Sequence, residues 1–557
     1  MFRIVALILF LTTGVFASGV SNIGVEFFGP GTKAEMLSLE QAIELALQNN
    51  LDAKFESVGI EIEDARRRLA VGQFDPTFSA SAIRESIRRP QNANNFTNVD
   101  ALRQRDQVAA INQNAIATAQ NTNAINAARG NPARVDVPQN IGGIETLVGI
   151  DGTIFDQQND RFSSAVQGRM PWGMRYGFQV SANRLRNTFT GDVRTVFPEY
   201  ATSATVTLIQ PLLKNFGSDV NLADVRIGRL NRQVQVCAWK LRVSTIVQTV
   251  ISTYYDMLYA MRDVELREES IQAGLKLLGQ NKRRYELGFM SPLDVQQAEV
   301  QVSSDREALL ISKGLFMERQ FALKRLILKE LQQDERRVYV PSTAPRLMAP
   351  RIDRAEFMQT ALARRYDYQS VLLDAEVQDV RLRFARNQVW PQVDLIGTYG
   401  LNGLQGGYGD SFNEAFDGRA PEWTGGVQVQ VPWGFVKERA QLNLVKGLKE
   451  QAIIKIKQTE LGVGVDVDTV ISRILTNQQR VDTARKTREL NQEAVRVASK
   501  RLEEGQLSSF ELIEQGRKLV EAQSRELATI AEFNKSISQL WLVTGTILDR
   551  QGIYFAK

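Results

Sequence analysis

The side chains that usually carry chemistry are few in this chain. Its 557 residues include no histidine and one cysteine, Cys237. The commonest general base and metal ligand is therefore missing, as is any disulfide or thiolate zinc site. A cysteine isolated on a helix is usually a small apolar side chain, and Cys237 is given no role. No Gly-rich phosphate loop or convergent carboxylate cluster is present from which an active site could be assembled. No catalytic, metal or cofactor site is expected. The carboxylates that stand out sit at helix starts. Ser291 precedes Pro292 and Asp294, and Ser508 precedes Glu511 in a capping-box spacing. Glu511 and Glu514 are spaced i, i+3 and share one helix face. The backbone dipole favours an acidic residue in a first turn whatever the function. That reading covers Asp294 and Glu511, whereas Glu514 lies past the cap.

These carboxylates belong to a turn written twice. Arg284-Tyr-Glu-Leu-Gly-Phe-Met-Ser-Pro-Leu-Asp294 returns as Arg501-Leu-Glu-Glu-Gly-Gln-Leu-Ser-Ser-Phe-Glu511. Gly288 and Gly505 can take the left-handed conformation that closes a helix C-terminus, and each copy predicts a tight helical hairpin. The repeat extends further. Ala46-Leu-Gln-Asn-Asn-Leu-Asp-Ala53 matches Ala361-Leu-Ala-Arg-Arg-Tyr-Asp-Tyr368 without a gap. Pro76 answers Pro391 at an offset of 315, and Pro211 answers Pro432 at 221, so the first half carries 94 extra residues (315 − 221) between its two prolines.

Charged residues are 24% and hydrophobic residues 43% of the chain, and the net charge is +5. These are ordinary values for a folded protein. The charge alternates along the helices rather than clustering, and no basic tract is interleaved with aromatics, so nucleic acid is not an expected partner. Met1-Phe-Arg3, the apolar run Ile4 to Leu11 and Val15-Phe-Ala17 read as a secretory signal peptide over 1–18. Its apolar core is too short to span a bilayer as a helix, and no other stretch comes close. The mature chain is expected to be exported without a transmembrane helix.

Two repeats follow, 37–330 and 353–548, joined by a linker at 331–352 and ending in a tail at 549–557. The first opens with a capping box at Ser38 and a helix to about Gln73. The strand period Thr77 to Ile83 comes next. Residues 88–140, rich in Asn, Gln and Ala, read as an exposed mobile loop within a longer insertion, 88–161. Asn95-Phe-Thr97 is a glycosylation pattern expected by chance in such a stretch. A hairpin at 162–182 surrounds Pro171-Trp-Gly173, and a strand runs through Ala204, Val206 and Leu208 to Pro211. From Asp219 to Leu287 apolar residues step by three and four through Val243, Val247, Val250, Tyr254 and Met257, a coiled-coil-like helix about 100 Å long. The second repeat follows the same plan: a helix from about Asp353 to Gln388, strands at Val393–Leu401 and Val427–Val431, a long helix to Glu504 and a last helix from Ser508 to about Leu548.

The expected class is α+β, an internally duplicated chain of long antiparallel coiled-coil-like helices plus β-strands of membrane-crossing length. Each half gives two clear strands, with polar and apolar residues alternating. Four strands cannot close a barrel, and an open edge in lipid leaves amides without partners, so the barrel is expected to be shared between chains. The hairpin 162–182 either adds strands or lies outside the membrane in the long loop; the second is the expectation. Alternation alone also suits soluble half-buried strands. A structural coiled-coil protein of the envelope, an adhesin stalk or periplasmic scaffold, would explain the helices and the leader but not four strands duplicated in register.

Leu37-Ser-Leu-Glu-Gln-Ala-Ile-Glu-Leu-Ala-Leu-Gln-Asn-Asn50, the Gln210-Pro-Leu-Leu213 junction, Tyr285-Glu-Leu-Gly288 with Leu293-Asp-Val-Gln-Gln-Ala-Glu299, and Leu542-Val-Thr-Gly545 resemble the TolC-type outer-membrane efflux proteins. The resemblance spans Leu37 to Leu548. It implies a homotrimer with a twelve-stranded barrel in outer-membrane lipid and a helical tunnel (an α-barrel) reaching into the periplasm. It also implies a periplasmic adaptor and an inner-membrane pump as partners, with no cofactor. Such a protein is a passive exit duct for tripartite efflux or type I secretion. In that family the hairpin turns form the periplasmic mouth, here Gly288, Phe289, Met290, Ser291, Gly505, Gln506, Leu507 and Ser508, where the adaptor is expected to dock. The family's acidic ring maps to Glu511 and Glu514, and Asp294 matches a residue that helps hold the mouth shut. Symmetry would stack Glu511 and Glu514 into carboxylate rings favouring cations. Relatives carry an arginine where Leu507 stands, so their salt-bridge latch is not carried over.

Overall fold

The computed structural model describes residues 33–90, 99–128, 134–136, 154–187, 196, 198–330, 336–347 and 350–555. The leader expected at 1–18 and the Asn95 sequon lie outside them. The chain divides into two compact units. One, mostly helical, comprises Met1–Ala70, Ala223–Arg383 and Ala440–Lys557. The other, Val71–Leu222 with Phe384–Arg439, holds the large sheet.

The helical unit is built on two long helices, α5 (Ala223–Glu286) and α10 (Val436–Glu503). Their 64 and 68 residues make each roughly 100 Å long. Each turns back into a shorter helix, α6 (Pro292–Ile327) after α5 and α11 (Ser509–Val543) after α10. The apolar seam read from the sequence is buried from Val243 through Ile271, while Leu275 turns outward. Phe316 on α6 and Phe533 on α11 are both sealed from solvent, at 0% and 1% exposure, and occupy equivalent places at the offset of 217 that relates Gly288 to Gly505.

The helices expected to run unbroken into each strand are interrupted. In the first repeat α1 (Leu39–Asn49) ends at an extended Asn50, and α2 (Leu51–Gly72) begins beyond it. Asn50 Oδ1 accepts the amides of Asp52 at 3.0 Å and Ala53 at 3.3 Å, capping α2. The second repeat breaks at the matched residue. There α7 (Arg354–Arg364) and α8 (Tyr366–Gln388) flank an extended Arg365, whose guanidinium bonds Asp367 and Asp466. Strong helical periodicity on both sides hid a break of one residue. The expected linker also has structure: β1 (Lys33–Leu37) pairs in parallel with β6 (Arg337–Pro341). Buried Tyr254 holds this ladder, its hydroxyl donating to Leu37 O and accepting from Thr343 N, both at 2.9 Å.

The sheet unit differs most from expectation. Six antiparallel strands lie in the order β2 (Thr77–Pro90), β3 (Ile154–Arg169), β4 (Arg175–Asn187), β5 (Glu199–Pro211), β7 (Gln392–Gln405) and β8 (Pro421–Gln430). The hairpin expected outside the strands, 162–182, is the core of β3 and β4 and stands between β2 and β5. The expected inserted loop is also shorter than 88–161. β2 runs to Pro90, β3 starts at Ile154, and Val99–Ala128 is a 30-residue helix, α3. Its Ala, Gln and Asn content lacks the large apolar residues of a core, which is why it read as disorder. Ala and Gln nevertheless favour helix strongly. Among the described residues no helix is long and apolar enough to cross a membrane.

Register divides the sheet into two faces. One carries Phe78, Phe162, Phe178, Val206, Tyr399 and Trp423, all exposed. The other carries Ser81, Ser163, Ser181, Ser203 and Asn402 in one row of strand partners, with Glu422 on the same face opposite Gly400. Serine hydroxyls meet across strands there, Ser81 with Ser163 at 2.8 Å and Ser181 with Ser203 at 2.7 Å. A short amphipathic helix, α9 (Tyr408–Phe416), packs on β7 and β5, with Ser411 Oγ donating to Thr202 Oγ1 at 2.7 Å.

Candidate functional site

The two hairpin turns are built alike. At the first, Gly288 takes φ 80°. Its amide donates to Tyr285 O at 2.9 Å and that of Phe289 to Arg284 O at 2.8 Å. At the second, Gly505 takes φ 73°, with Gly505 N to Leu502 O at 3.1 Å and Gln506 N to Arg501 O at 2.8 Å. Both are paired closing bonds around a left-handed residue, a conformation that strains any side chain with a Cβ. Basic residues fill the turn before each glycine, Arg283 and Arg284 on α5, Lys500 and Arg501 on α10, where they complement the helix dipole.

The caps that follow are not identical. Ser291 accepts the amide of Leu293 at 3.2 Å, and the Ser291 amide donates to Asp294 Oδ2 at 3.3 Å, a complete box. Ser508 Oγ accepts from Glu511 N at 3.3 Å. Among the described hydrogen bonds the return bond from the Ser508 amide to Glu511 is not formed, so the expected second box is only half present. Its carboxylate is left exposed.

Asp294, Glu511 and Glu514 are not brought into contact by any described bond within one chain. Each hairpin is instead tied to the other by residues to which the sequence reading assigns no role. Asn281, 1% exposed, donates from Nδ2 to the Asp294 carbonyl at 3.3 Å and accepts Ser509 Oγ at 3.2 Å. Arg284 Nη1 donates to Leu502 O at 3.3 Å. Burying an amide side chain is costly unless its bonds are made, so this cluster holds the hairpins in one register. One signal was available: Asn281 interrupts an apolar helix face where the second repeat has Ala498. Farther along, Asp263 joins three helices, accepting Ser312 Oγ of α6 and Ser524 Oγ of α11, both at 2.6 Å.

Electrostatics separates the two glutamates. Glu514 is paired with Arg517 on its own helix at 3.0 Å. The hydrogen bond from Arg517 holds its carboxyl below the usual glutamate range. The same bond, with help from Glu521, raises Arg517. Around the turns the surface is apolar: Leu287 and Phe289 are 70% and 80% exposed, and Leu293 and Phe510 are also uncovered. Among the described residues no group of three or more acidic, cysteine or histidine side chains could hold a metal ion.

Known proteins share this architecture. The crystal structure of CusC, described in connection with transmembrane channel formation, superposes with a TM-score of 0.59 at 13% identity, over 91% of this chain and 92% of that one. The Campylobacter jejuni outer membrane channel CmeC gives 0.59 at 14% identity, over 91% and 86%. The Vibrio cholerae outer membrane protein VceC gives 0.58 at 13%, over 91% and 96%. No curated protein sequence matches. The profile of the outer membrane efflux proteins matches residues 157–327 and 357–546, covering both hairpins and most of the sheet strands, and the chain therefore belongs to the outer membrane efflux protein family.

Proposed function

We propose that the chain is the exit duct of a tripartite efflux or type I secretion system. In this reading it is a homotrimer whose sheets form a shared barrel in the outer membrane and whose helices form a periplasmic tunnel. The observation that supports this best is the two-faced sheet. Its apolar face is exposed and its polar face is stitched by hydroxyls, as a wall between lipid and water would be. Its outermost strands, β2 and β8, end the ladder, and an edge cannot stand open in lipid.

The turns are the periplasmic mouth. Asn281 and Ser509 hold the two hairpins of each copy together, and Asp294 contributes its carbonyl to that lock and its carboxylate to the cap. Glu511 and Glu514 form stacked acidic rings by symmetry, the second moderated by Arg517. The exposed apolar turn residues Leu287 and Phe289, with the half-buried Leu507 of the second turn, receive a periplasmic adaptor that links the duct to an inner-membrane pump. A photo-crosslinker at Phe289 in living cells is expected to capture that adaptor, and capture should be lost in Phe289→Asp. Failure to crosslink any periplasmic protein from either turn would overturn the docking assignment. Glu511→Ala with Glu514→Ala is expected to reduce cation selectivity in planar bilayers, and unchanged selectivity removes both from the pore.

A further inference from the structure

We propose that each copy contributes six strands to the barrel, so that three copies close a wall of eighteen, with β2 of one copy paired to β8 of the next. This deepens the channel reading and rests on it. The order β2-β3-β4-β5-β7-β8 is an unbroken antiparallel ladder, and β2 begins at the end where β8 finishes, so neighbouring edges meet antiparallel. Over the half nearer their connecting turn, β3 and β4 carry the same division of faces as the rest, while toward the other end the apolar side gives way to the paired charges Arg84, Asp160 and Arg184. Phe162, Val166, Phe178 and Val180 lie on the apolar side, and Ser163 and Ser181 on the polar side. Taking them out of the wall would break their ladders to β2 and β5 and leave aromatic side chains without lipid.

The turn between β3 and β4 points the same way. It reads Pro171-Trp172-Gly173, and the chain leaving β8 reads Pro432-Trp433-Gly434, with both glycines at positive φ. Trp172, Trp390 and Trp433 are exposed at one end of the sheet, the position of an interfacial tryptophan belt. The hairpin is also fastened to the strands beside it. Gly217 N donates to Trp172 O at 3.1 Å, and Arg175 of β4 reaches past β5 to Asp394 of β7 at 3.7 Å. Barrel diameter grows about linearly with strand number, so this bore would be about 1.5 times that of a twelve-stranded relative.

A second observation indicates what narrows the wider bore. Arg175 lies on the polar face at the end where β2 starts, and its Nη1 donates to Ala128 O, the last carbonyl of α3, at 2.9 Å. α3 follows the far end of β2, and its 30 residues reach about 45 Å, enough to return along the strands. Among its described positions the buried Ala119 and the half-buried Asn112, Ala115, Thr122, Asn123 and Asn126 are small or polar, with Ile116 and Ile125 the two large apolar residues beside them. That surface suits a hydroxyl-lined wall and not lipid. We infer that α3 lies inside the barrel.

Imaging of the purified native oligomer by electron cryomicroscopy tests the wall directly. Eighteen strands with 154–187 among them is the expected result. Twelve strands with that segment outside overturns the inference and leaves the channel reading intact, whereas an oligomer without a bore sinks both. In a Cys237→Ala background Ser181→Cys should react with a membrane-impermeant maleimide and Val180→Cys should not; equal labelling contradicts the assignment. For α3, Ala119→Cys should link through a short bismaleimide to Ser163→Cys and not to Val180→Cys. Replacing 99–128 by a short linker should speed labelling of Ser181→Cys by a bulky polymer-maleimide severalfold, with a small reagent unaffected. No crosslink to the polar face, or an unchanged bulky-reagent rate in an assembled variant, removes the helix from the lumen.

Discussion

The two helical hairpins and the two halves of the sheet came from the same duplication and have diverged very differently. Gly288 and Gly505, Ser291 and Ser508, Phe316 and Phe533 keep one offset of 217 (505 − 288), with the same closing bonds and the same burial. In the sheet the second repeat supplies two strands and a 9-residue helix, and the first supplies four strands and a 30-residue helix. The difference follows from what each region must match. A helix pair packs side chain into groove along its whole length, so an insertion shifts every contact beyond it. An antiparallel hairpin added to a sheet pairs with its neighbours and leaves their own register intact.

The matched cores of the two hairpins carry the largest expected effect. Phe316→Ala and Phe533→Ala should each destabilise by about 3–5 kcal/mol, read as similar drops in the melting temperature of the purified oligomer. A drop for one and none for the other would show that the repeats match in sequence but not in energetics. A smaller asymmetry is expected at Tyr254, whose counterpart is Ile471. Tyr254→Phe leaves Thr343 N without its acceptor and Leu37 O with only the Ser342 amide, costing about 1–3 kcal/mol, and proteolysis near the β6 connection should accelerate while Ile471→Val leaves it unchanged. Asn281→Ala reproduces the second repeat's Ala498 in the first. It should loosen the tie to Ser509 and raise the fraction of time the channel conducts; unchanged gating would limit Asn281 to packing.

The smallest effect concerns charge. The carboxyl of Glu514 is lowered by Arg517, so it stays ionised as pH falls through the ordinary glutamate value and is neutralised only below it. Cation selectivity should persist across that window and disappear at more acidic pH. Arg517→Ala should move the loss upward toward the ordinary glutamate value, seen in reversal potentials at graded pH.

Much of this fold could be read in the residues because periodicity is strong where helices are long. The turns, caps and seam at Val243–Val264 follow from local rules. The breaks at Asn50 and Arg365 did not, since a single extended residue leaves helical spacing on both sides nearly unchanged. The strands β3 and β4 were visible as a hairpin, but their place between β2 and β5 depends on pairing across a long insertion that alternation alone does not encode. At the hairpin turns, Glu511 and Glu514 are singled out by the resemblance to the efflux proteins, whereas Asn281, Ser509 and Arg517 matter through partners distant in sequence or a charge pair that composition does not single out.

Single-channel recording on the purified native oligomer in planar lipid bilayers tests the central idea most directly. The expected result is a water-filled, cation-preferring conductance that opens more often when the Asn281–Ser509 tie is cut by Ser509→Ala. A stable single copy with no conductance, with the tie intact or cut, would contradict it.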